Sequence, residues 1–203
     1  MKKMTSLFLS LVLLLNIALT CQISSLAATA TGACGENLTW SLNTDTGELT
    51  VSSTGEMKNA ASSSDMPWAS YNKVIKSVIV KNGVTSIGNN AFGYCSSLKS
   101  VSLPNSLTSI GYRSFTATAI ETITIPKNVE IIIDSFVQCN NLKSIYVEPD
   151  NERYKSIEGV LFERWETGLS KFSKYRLLYY PNSKNENFYS MPCDIIEIAP
   201  CAF

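Results

Sequence analysis

The side chains that could perform acid–base or metal chemistry are few in this sequence. Its 203 residues include no histidine, which argues against Ser-His-Asp and Cys-His catalysis and against the usual catalytic zinc sites. Two carboxylate pairs, Asp150 with Glu152 and Glu163 with Glu166, have a spacing that acid–base catalysis could use. Both pairs are predicted to lie in solvated loops, which lack the burial that a catalytic acid needs.

Cysteine is the other residue type that could react. Cys95 and Cys139 hold equivalent positions in a sequence unit that repeats along the chain, and they are two units apart. If each unit forms one coil with a strand, neighbouring strands lie about 4.8 Å apart. These thiols should then lie about 10 Å apart, beyond the reach of a disulfide. We therefore predict that both are small buried apolar side chains. The sequence leaves open the disulfide state of Cys34, Cys193 and Cys201.

Composition argues against several classes of function. Lysine and arginine total 17, and aspartate and glutamate also total 17, so no strong field favours nucleic acid or an anionic membrane. The chain is 45% hydrophobic and 17% charged, which is typical of a globular protein. No phosphate-binding loop or dinucleotide motif appears in the sequence. We expect a non-enzymatic protein with no cofactor, no metal site and no nucleic-acid partner.

Residues 1–30 have the features of a secretory signal peptide. Lys2 and Lys3 precede a short apolar run at 7–19, and small residues follow at 27–30. An alternative is a lipoprotein signal with Cys21 as the lipidated residue, but Thr20 is larger than the residue usual at that place. The apolar run is too short to span a bilayer, and we predict no transmembrane segment in the mature chain.

The chain repeats itself about every 22 residues, with units that open at Ile75, Leu98, Ile120 and Leu142. Aligned apolar residues form columns: Val78, Val101, Ile123 and Ile145; Val80, Leu103, Ile125 and Val147; Ile87, Ile110 and Ile132; Phe92, Phe115 and Phe136. The alternation in each unit predicts a strand. Units this short can bury their apolar faces only by stacking. The predicted fold is therefore mainly β, a solenoid of short parallel strands.

The repeated pattern L-x-x-I-x-I-P-x-x-V-x-x-I-G-x-x-A-F-x-x-C resembles the BspA-like leucine-rich repeat. It covers residues 75–147 and resumes near the end, where Pro192, Ile195, Ile198 and Phe203 repeat the spacing of Pro104, Leu107, Ile110 and Phe115. The resemblance implies a leucine-rich-repeat solenoid. It also implies a secreted or surface-displayed, non-enzymatic binding protein that acts in adhesion or host interaction. That functional implication belongs to the family, since one fold serves many functions.

The remaining segments divide the chain into parts. Residues 31–72 are predicted to form an N-terminal β cap with a hairpin over 36–54, and residues 73–148 hold the repeats. Residues 149–190 resemble a double-length variant unit in which a hairpin joins 160–162 to 177–179. Residues 191–203 begin a further repeat that breaks off without a terminal cap, so we expect a fragment of a longer protein.

Two surfaces are candidates for partner binding. On the rigid sheet, solvent-facing strand positions form polar columns that include Ser100, Ser102, Thr122, Thr124, Ser144 and Tyr146, beside a ladder of Lys76, Lys99, Glu121 and Lys143. In the variant hairpin, cations and aromatics interleave at Arg164, Trp165, Lys171, Phe172, Lys174, Tyr175 and Arg176, and such residues are good binding anchors. The alternatives are an ordinary solvated sheet face and a hairpin whose aromatics pack back onto the solenoid.

The sequence thus favours a secreted or cell-surface bacterial binding module for an extracellular protein or glycan. One alternative is a structural stalk that presents a domain beyond Phe203. Another is a catalytic domain located downstream. The sequence specifies neither the ligand nor the oligomeric state.

Overall fold

The computed structural model describes residues 28–165, 174–184, 189–200 and 202–203. The strands in chain order are β1 (Thr29–Ala33), β2 (Leu38–Asn43), β3 (Glu48–Ser53), β4 (Gly55–Glu56), β5 (Ser77–Val80), β6 (Val84–Ile87), β7 (Ser100–Ser102), β8 (Ser109–Ile110), β9 (Thr122–Ile125), β10 (Ile131–Ile132), β11 (Ser144–Val147), β12 (Tyr154–Ile157), β13 (Val160–Trp165), β14 (Lys174–Tyr179) and β15 (Ile195–Ile198). Two short 3-10 helices, Ser63–Asp65 and Ala69–Tyr71, complete the described elements. Within these residues no helix is long and apolar enough to cross a membrane. The predicted mainly β solenoid is confirmed.

One side of the solenoid is a mainly parallel sheet, here called the first sheet. The predicted N-terminal hairpin is present as β2 and β3, with β1 added antiparallel to β2. β3 pairs in parallel with β5, and β5 with β7. β9 lies beside β7 but forms a separate two-stranded parallel sheet with β11. Both strands are included in the first sheet because they continue the same side of the solenoid. The alternation that predicted these strands turns Val78, Ile123 and Ile145 inward, where all three are buried. The hairpin therefore covers the first coil by extending its sheet.

A second, narrower sheet closes the other side of the coils, in the order β10-β8-β6-β4. The sequence indicated only that the chain turns back at the Ser-Ile-Gly positions, whereas the structure forms parallel strands of two to four residues there. At β10 a side chain takes the place of a further strand. The Tyr154 hydroxyl accepts a hydrogen bond from the Ile132 N–H at 2.9 Å and donates one to the Glu130 carbonyl at 3.1 Å.

Aromatic side chains form a continuous column through the core. The predicted phenylalanine column is confirmed, with Phe92, Phe115 and Phe136 buried and their ring centroids 5.5 Å and 5.9 Å apart. Trp68 of the N-terminal cap stacks on Phe92 at 5.4 Å. Tyr179 of β14 meets Phe136 edge-on at 5.8 Å. These contacts join the cap, the repeats and the variant unit into one hydrophobic core.

The predicted hairpin of the variant unit is present as β13 and β14, within a third sheet of order β12-β13-β14-β15. Leu161 pairs with Tyr179 and Phe162 pairs with Leu177, so Leu178 is an extra residue in β14. This β-bulge turns Leu177 and Tyr179 to opposite faces, although they lie two positions apart. Tyr179 packs in the solenoid core, and Leu177 packs with Phe162 in a second, smaller core.

The prediction that Glu163 lies in a solvated loop is wrong. Glu163 lies in β13 and is only 7% exposed. Its two carboxylate oxygens are ion-paired with Arg153 and Arg176. Burial of this carboxylate is tolerated because each oxygen has a cationic partner. Glu166, its expected companion, lies outside the described residues.

The prediction for the repeat cysteines is confirmed. Cys95 and Cys139 are buried and form no disulfide. Cys34 is also free and buried, and Cys193 is free and exposed. Cys201 lies outside the described residues. Burial raises the pKa of the Cys34 thiol to about 11 and that of the Cys95 thiol to about 12, so both stay protonated and unreactive near neutral pH.

Candidate binding surface

The six predicted contact residues of the first sheet lie on its exposed face, in two rows that run across the strands. One row contains Ser100, Thr122 and Ser144, and the other contains Ser102, Thr124 and Tyr146. Ser144 is half-buried and the other five are exposed. Because neighbouring strands lie about 4.8 Å apart, the structure brings these side chains together on one surface.

The second row continues beyond the repeats onto the N-terminal cap. Register pairs Ser102 with Ile79, Ile79 with Thr50, Thr50 with Ser41, and Ser41 with Thr31. Strand pairing thus links five residues, Thr31, Ser41, Thr50, Ile79 and Ser102. Thr124 and Tyr146, paired with each other on β9 and β11, continue the row beside β7. These seven residues are here called the hydroxyl row. Sequence analysis missed its first three members. Alternation in the hairpin shows which side chains face solvent, but it does not show which strand the hairpin joins.

The hydroxyl row presents short uncharged side chains on an ordered backbone. Five of its seven members are Ser or Thr, whose hydroxyls both donate and accept hydrogen bonds. Tyr146 stands at the variant-unit end of the row and is 51% exposed. An exposed aromatic ring can stack on the apolar face of a partner while its hydroxyl still makes a hydrogen bond. The row is therefore a polar surface with an exposed aromatic side chain at one end.

A charged ladder borders these rows at the N-terminal ends of the strands. The Lys143 ammonium donates a hydrogen bond to the Glu121 carboxylate at 2.6 Å. That hydrogen bond, the charge of Lys143 and the nearby charge of Lys99 hold the pKa of Glu121 below its ordinary value. Because both partners are solvent-exposed, the pair contributes little to stability. Lys76 and Lys99 are exposed as well, so this border carries a surplus of positive charge.

The variant hairpin places its predicted contact residues in different surroundings. The Arg176 guanidinium lies 3.6 Å from Glu163 and 3.2 Å from Glu197, bridging two carboxylates of the third sheet. Tyr175 packs against Phe162 with ring centroids 6.4 Å apart, and the Lys155 ammonium lies 5.2 Å above its ring. Arg176 and Tyr175 already make contacts inside the third sheet, so less of their surface is available to a partner.

Arg164 and Lys174 lie next to the connection between the two strands, at the end of β13 and the start of β14. Arg164 pairs with Tyr175 across the strands, and both Arg164 and Lys174 are half-buried. Trp165 is the last residue of β13. Lys171 and Phe172 lie outside the described residues. In the part of the chain that the structure describes, no group of three or more Cys, Asp or Glu side chains could hold a metal ion.

Solved structures with a similar fold are bacterial leucine-rich repeat proteins. A leucine rich cell surface protein of Faecalibacterium prausnitzii is 35% identical, with a TM-score of 0.53, over 60% of this chain and 30% of its own. The pneumococcal vaccine antigen PcpA is 29% identical, with a TM-score of 0.55, over 62% of this chain and 30% of its own. A leucine-rich repeat protein of Eubacterium ventriosum is 23% identical, with a TM-score of 0.50, and supports the fold alone over 84% of this chain and 56% of its own. The chain thus spans 30% to 56% of the lengths of these proteins.

The family follows from the repeat itself. No sequence among the curated proteins matches the chain significantly. The sequence profile described as BspA type leucine rich repeat region matches residues 69–176 in six copies, which is more than half of the 203 residues. The matched region contains the apolar columns, the phenylalanine column and strands β5 to β13. The chain therefore belongs to the BspA-type leucine-rich repeat family.

Proposed function

We propose that the chain is a non-enzymatic binding module that acts outside the cell, at the bacterial surface, in adhesion or host interaction. Its protein or glycan partner lies against the exposed face of the first sheet. The hydroxyl row carries this proposal, because strand pairing from β1 to β7 and between β9 and β11, with β9 packed beside β7, fixes its spacing before any partner arrives. Short side chains on an ordered backbone lose little conformational freedom on binding. Two similar proteins are named as a cell surface protein and a vaccine antigen, which supports an extracellular location.

The contact face combines the two rows of the first sheet with the end of the variant hairpin where β13 ends and β14 begins. Ser100, Ser102, Thr122, Thr124 and Ser144 supply hydrogen bonds, and Tyr146 supplies the aromatic anchor. From the variant unit, Arg164, Trp165, Lys171, Phe172 and Lys174 contribute cationic and aromatic contacts. Tyr175 and Arg176 support that end from within the third sheet.

Secretion by a signal peptide within residues 1–30 is part of the proposal. The Ala28 carbonyl accepts hydrogen bonds from the Thr44 N–H at 2.9 Å and from the Thr44 hydroxyl at 2.8 Å, and β1 begins at Thr29. Cleavage before Ala28 leaves β1 whole, whereas cleavage after Ala30 shortens it by two residues. Mass spectrometry of the secreted chain identifies the cleavage site.

A binding screen with a matched pair of variants tests the sheet face. The purified chain is applied to a glycan array and to immobilised collagen, fibronectin and mucin. A variant carrying Ser100→Lys, Thr122→Lys and Tyr146→Lys should lose the signal at least tenfold on any probe that the native chain binds. The control carries Thr85→Lys, Thr108→Lys and Ile131→Lys on or next to the second sheet. It adds the same charge and should bind as the native chain does.

Two results would count against this function. Equal binding by both triple variants would show that the sheet face does not make the contact. Saturable binding to none of the probes, together with a longer natural protein that carries a separate domain, would favour a stalk that presents that domain.

A further inference from the structure

At the N-terminal end of the solenoid, the first sheet extends further than the second sheet. Beyond β3 the first sheet continues with β2 and β1, whereas the second sheet stops at β4. The space beside β4 is therefore not filled by another strand. A groove of about 1080 Å³ lies there, lined by residues 33–37, 54–61 and 65–67. No member of the hydroxyl row lines it, so this groove is separate from the proposed sheet-face site.

The floor of the groove is apolar and rich in sulfur. Cys34, Met57, Ala60 and Met66 line it, and all four are buried members of the main hydrophobic core. Methionine side chains are flexible and polarisable, so they adapt to apolar groups of different shapes. The floor therefore suits aliphatic or aromatic side chains more than one fixed ligand.

The rim of the groove is acidic. Glu36, Glu56 and Asp65 line it together with a single cation, Lys58, and all four side chains are exposed. None of the ion pairs found among the described residues involves any of the four. Three carboxylates and one ammonium give the rim a net charge of −3 + 1 = −2. This charge is complementary to a cationic ligand.

The walls of the groove are held in place by backbone contacts. The Lys58 N–H donates to the Cys34 carbonyl at 2.8 Å, and the Cys34 N–H donates to the Leu38 carbonyl at 3.0 Å. Gly35 lies so close to the Glu56 carbonyl that an added Cβ would collide with it. The groove is therefore formed before a ligand binds, which lowers the ordering cost of binding.

The segment that carries Glu56 and Met57 is also tied to the next coil. The N–H groups of Gly55 and Met57 donate to the Gly83 and Ser86 carbonyls of that coil. The pairing of β4 with β6 shifts register between Gly55 and Glu56, so the strand is irregular at the groove.

We propose that this groove binds an extended peptide segment in which basic and apolar side chains alternate. Apolar side chains rest on the floor formed by Cys34, Met57 and Met66, and lysine or arginine side chains reach the carboxylates of Glu36 and Glu56. The volume, about 1080 Å³, slightly exceeds the ~300–1,000 Å³ of a small-molecule pocket, as expected for a short peptide.

Fluorescence anisotropy with three labelled hexapeptides tests this proposal. The purified chain should bind Lys-Leu-Lys-Leu-Lys-Leu with an affinity that falls as salt rises. It should bind Glu-Leu-Glu-Leu-Glu-Leu and Lys-Ser-Lys-Ser-Lys-Ser at least tenfold more weakly. If the serine peptide bound as well as the leucine peptide, the apolar floor would have no role. Absence of binding to the leucine peptide at millimolar concentration would overturn the proposal.

Matched variants locate the binding. Glu36→Lys with Glu56→Lys should weaken binding of the leucine peptide at least tenfold. The control, Glu130→Lys with Glu152→Lys, changes two exposed carboxylates outside the groove and alters the net charge by the same amount, and it should leave the affinity unchanged. An Ala61→Trp variant, which places a bulky ring at the lip, should also reduce binding. Equal effects of the two charge variants would contradict the proposed location.

Discussion

Asn151 shows how one buried polar side chain ties the variant unit to the last regular repeat. Its amide nitrogen donates to the carbonyls of Pro126 at 2.9 Å and Val129 at 3.1 Å. Its amide oxygen accepts the N–H groups of Arg153 at 2.9 Å and Tyr154 at 2.6 Å. The side chain is 2% exposed, so it bonds with its full capacity while out of contact with water. Four backbone groups hydrogen-bond to this one residue, and of these the Pro126 carbonyl also accepts the Val129 N–H at 3.2 Å.

We expect Asn151→Ala to lower the free energy of unfolding by about 3 kcal/mol, because it removes four hydrogen bonds from a largely buried site. The matched control is Asn128→Ala, which removes an exposed side chain with a single hydrogen bond to the Asn105 carbonyl, and this should cost less than ~1 kcal/mol. Urea unfolding of both variants measures the difference. Equal losses would show that the four bonds of Asn151 contribute no more than one surface bond.

The aromatic column is formed by one position of the repeat, which stacks on itself from coil to coil. Each coil supplies one ring, and each ring is covered only when the next coil stacks on it. Tyr179 holds the last described place because the bulge at Leu178 turns it inward. Its hydroxyl donates to the Phe136 carbonyl at 2.7 Å, so the polar end of this ring is also satisfied.

Removal of one ring from the middle of the column should be costly. Phe115 is buried between Phe92 and Phe136, 5.5 Å and 5.9 Å away, and Phe115→Ala should destabilise the fold by ~4 kcal/mol through lost burial and a residual cavity. Phe203→Ala is the control, since Phe203 is 70% exposed and contacts Tyr180 at the surface. Thermal unfolding followed by circular dichroism should show a large drop in Tm for the first variant only. A small drop for Phe115→Ala would indicate that neighbouring coils collapse into the space.

The regular elements could be predicted because the same alternation occurs in several consecutive units, and each unit supports the assignment of the others. The second sheet could not be predicted because strands such as Ser109–Ile110 are too short to show a period of two. The bulge at Leu178 depends on pairing with β13, which lies across a turn. Glu163 was misplaced because its partners, Arg153 and Arg176, lie at distant sequence positions.

The candidate binding surfaces, too, could be predicted from the sequence only in part. Ser100, Thr122 and Tyr146 could be assigned to one face from the repeat alone, since equivalent positions of a solenoid stack. The cap members of the hydroxyl row required the observed pairing of β3 with β5. The groove beside β4 has no signal in the sequence, because loops separated by about 20 residues along the chain form its walls and floor.

At the scale of the whole molecule, one core supports two separate surfaces. The main cluster of buried apolar residues runs from Cys34 in the cap to Tyr179 in the variant unit. The sheet face and the groove beside β4 are both fixed on this core. A partner at either proposed site would therefore meet a surface that the fold has already ordered.

The same core makes the folded chain sensitive to alkaline pH. Burial raises the pKa of Cys34 from its ordinary 9.0 to about 11, that of Cys95 from 9.0 to about 12, and that of Tyr154 from 10.0 to about 12. Above pH 9 the folded chain therefore holds more protons than the unfolded chain. Stability is fully present below pH 9 and falls as pH rises toward 11, by roughly 1.4 kcal/mol per pH unit for each group that ionises only on unfolding.

Denaturant unfolding between pH 8 and pH 11, with a reductant present, measures this slope. Cys95→Ala removes one buried thiol, so the loss of stability per pH unit should become smaller by roughly 1.4 kcal/mol in the same range. Cys193→Ala removes an exposed thiol and should leave the slope unchanged. Parallel stability curves for the native chain and Cys95→Ala would show that the buried thiol does not set the alkaline limit. A shallower curve for Cys95→Ala alone would assign that limit to the thiols that the repeat places in its core.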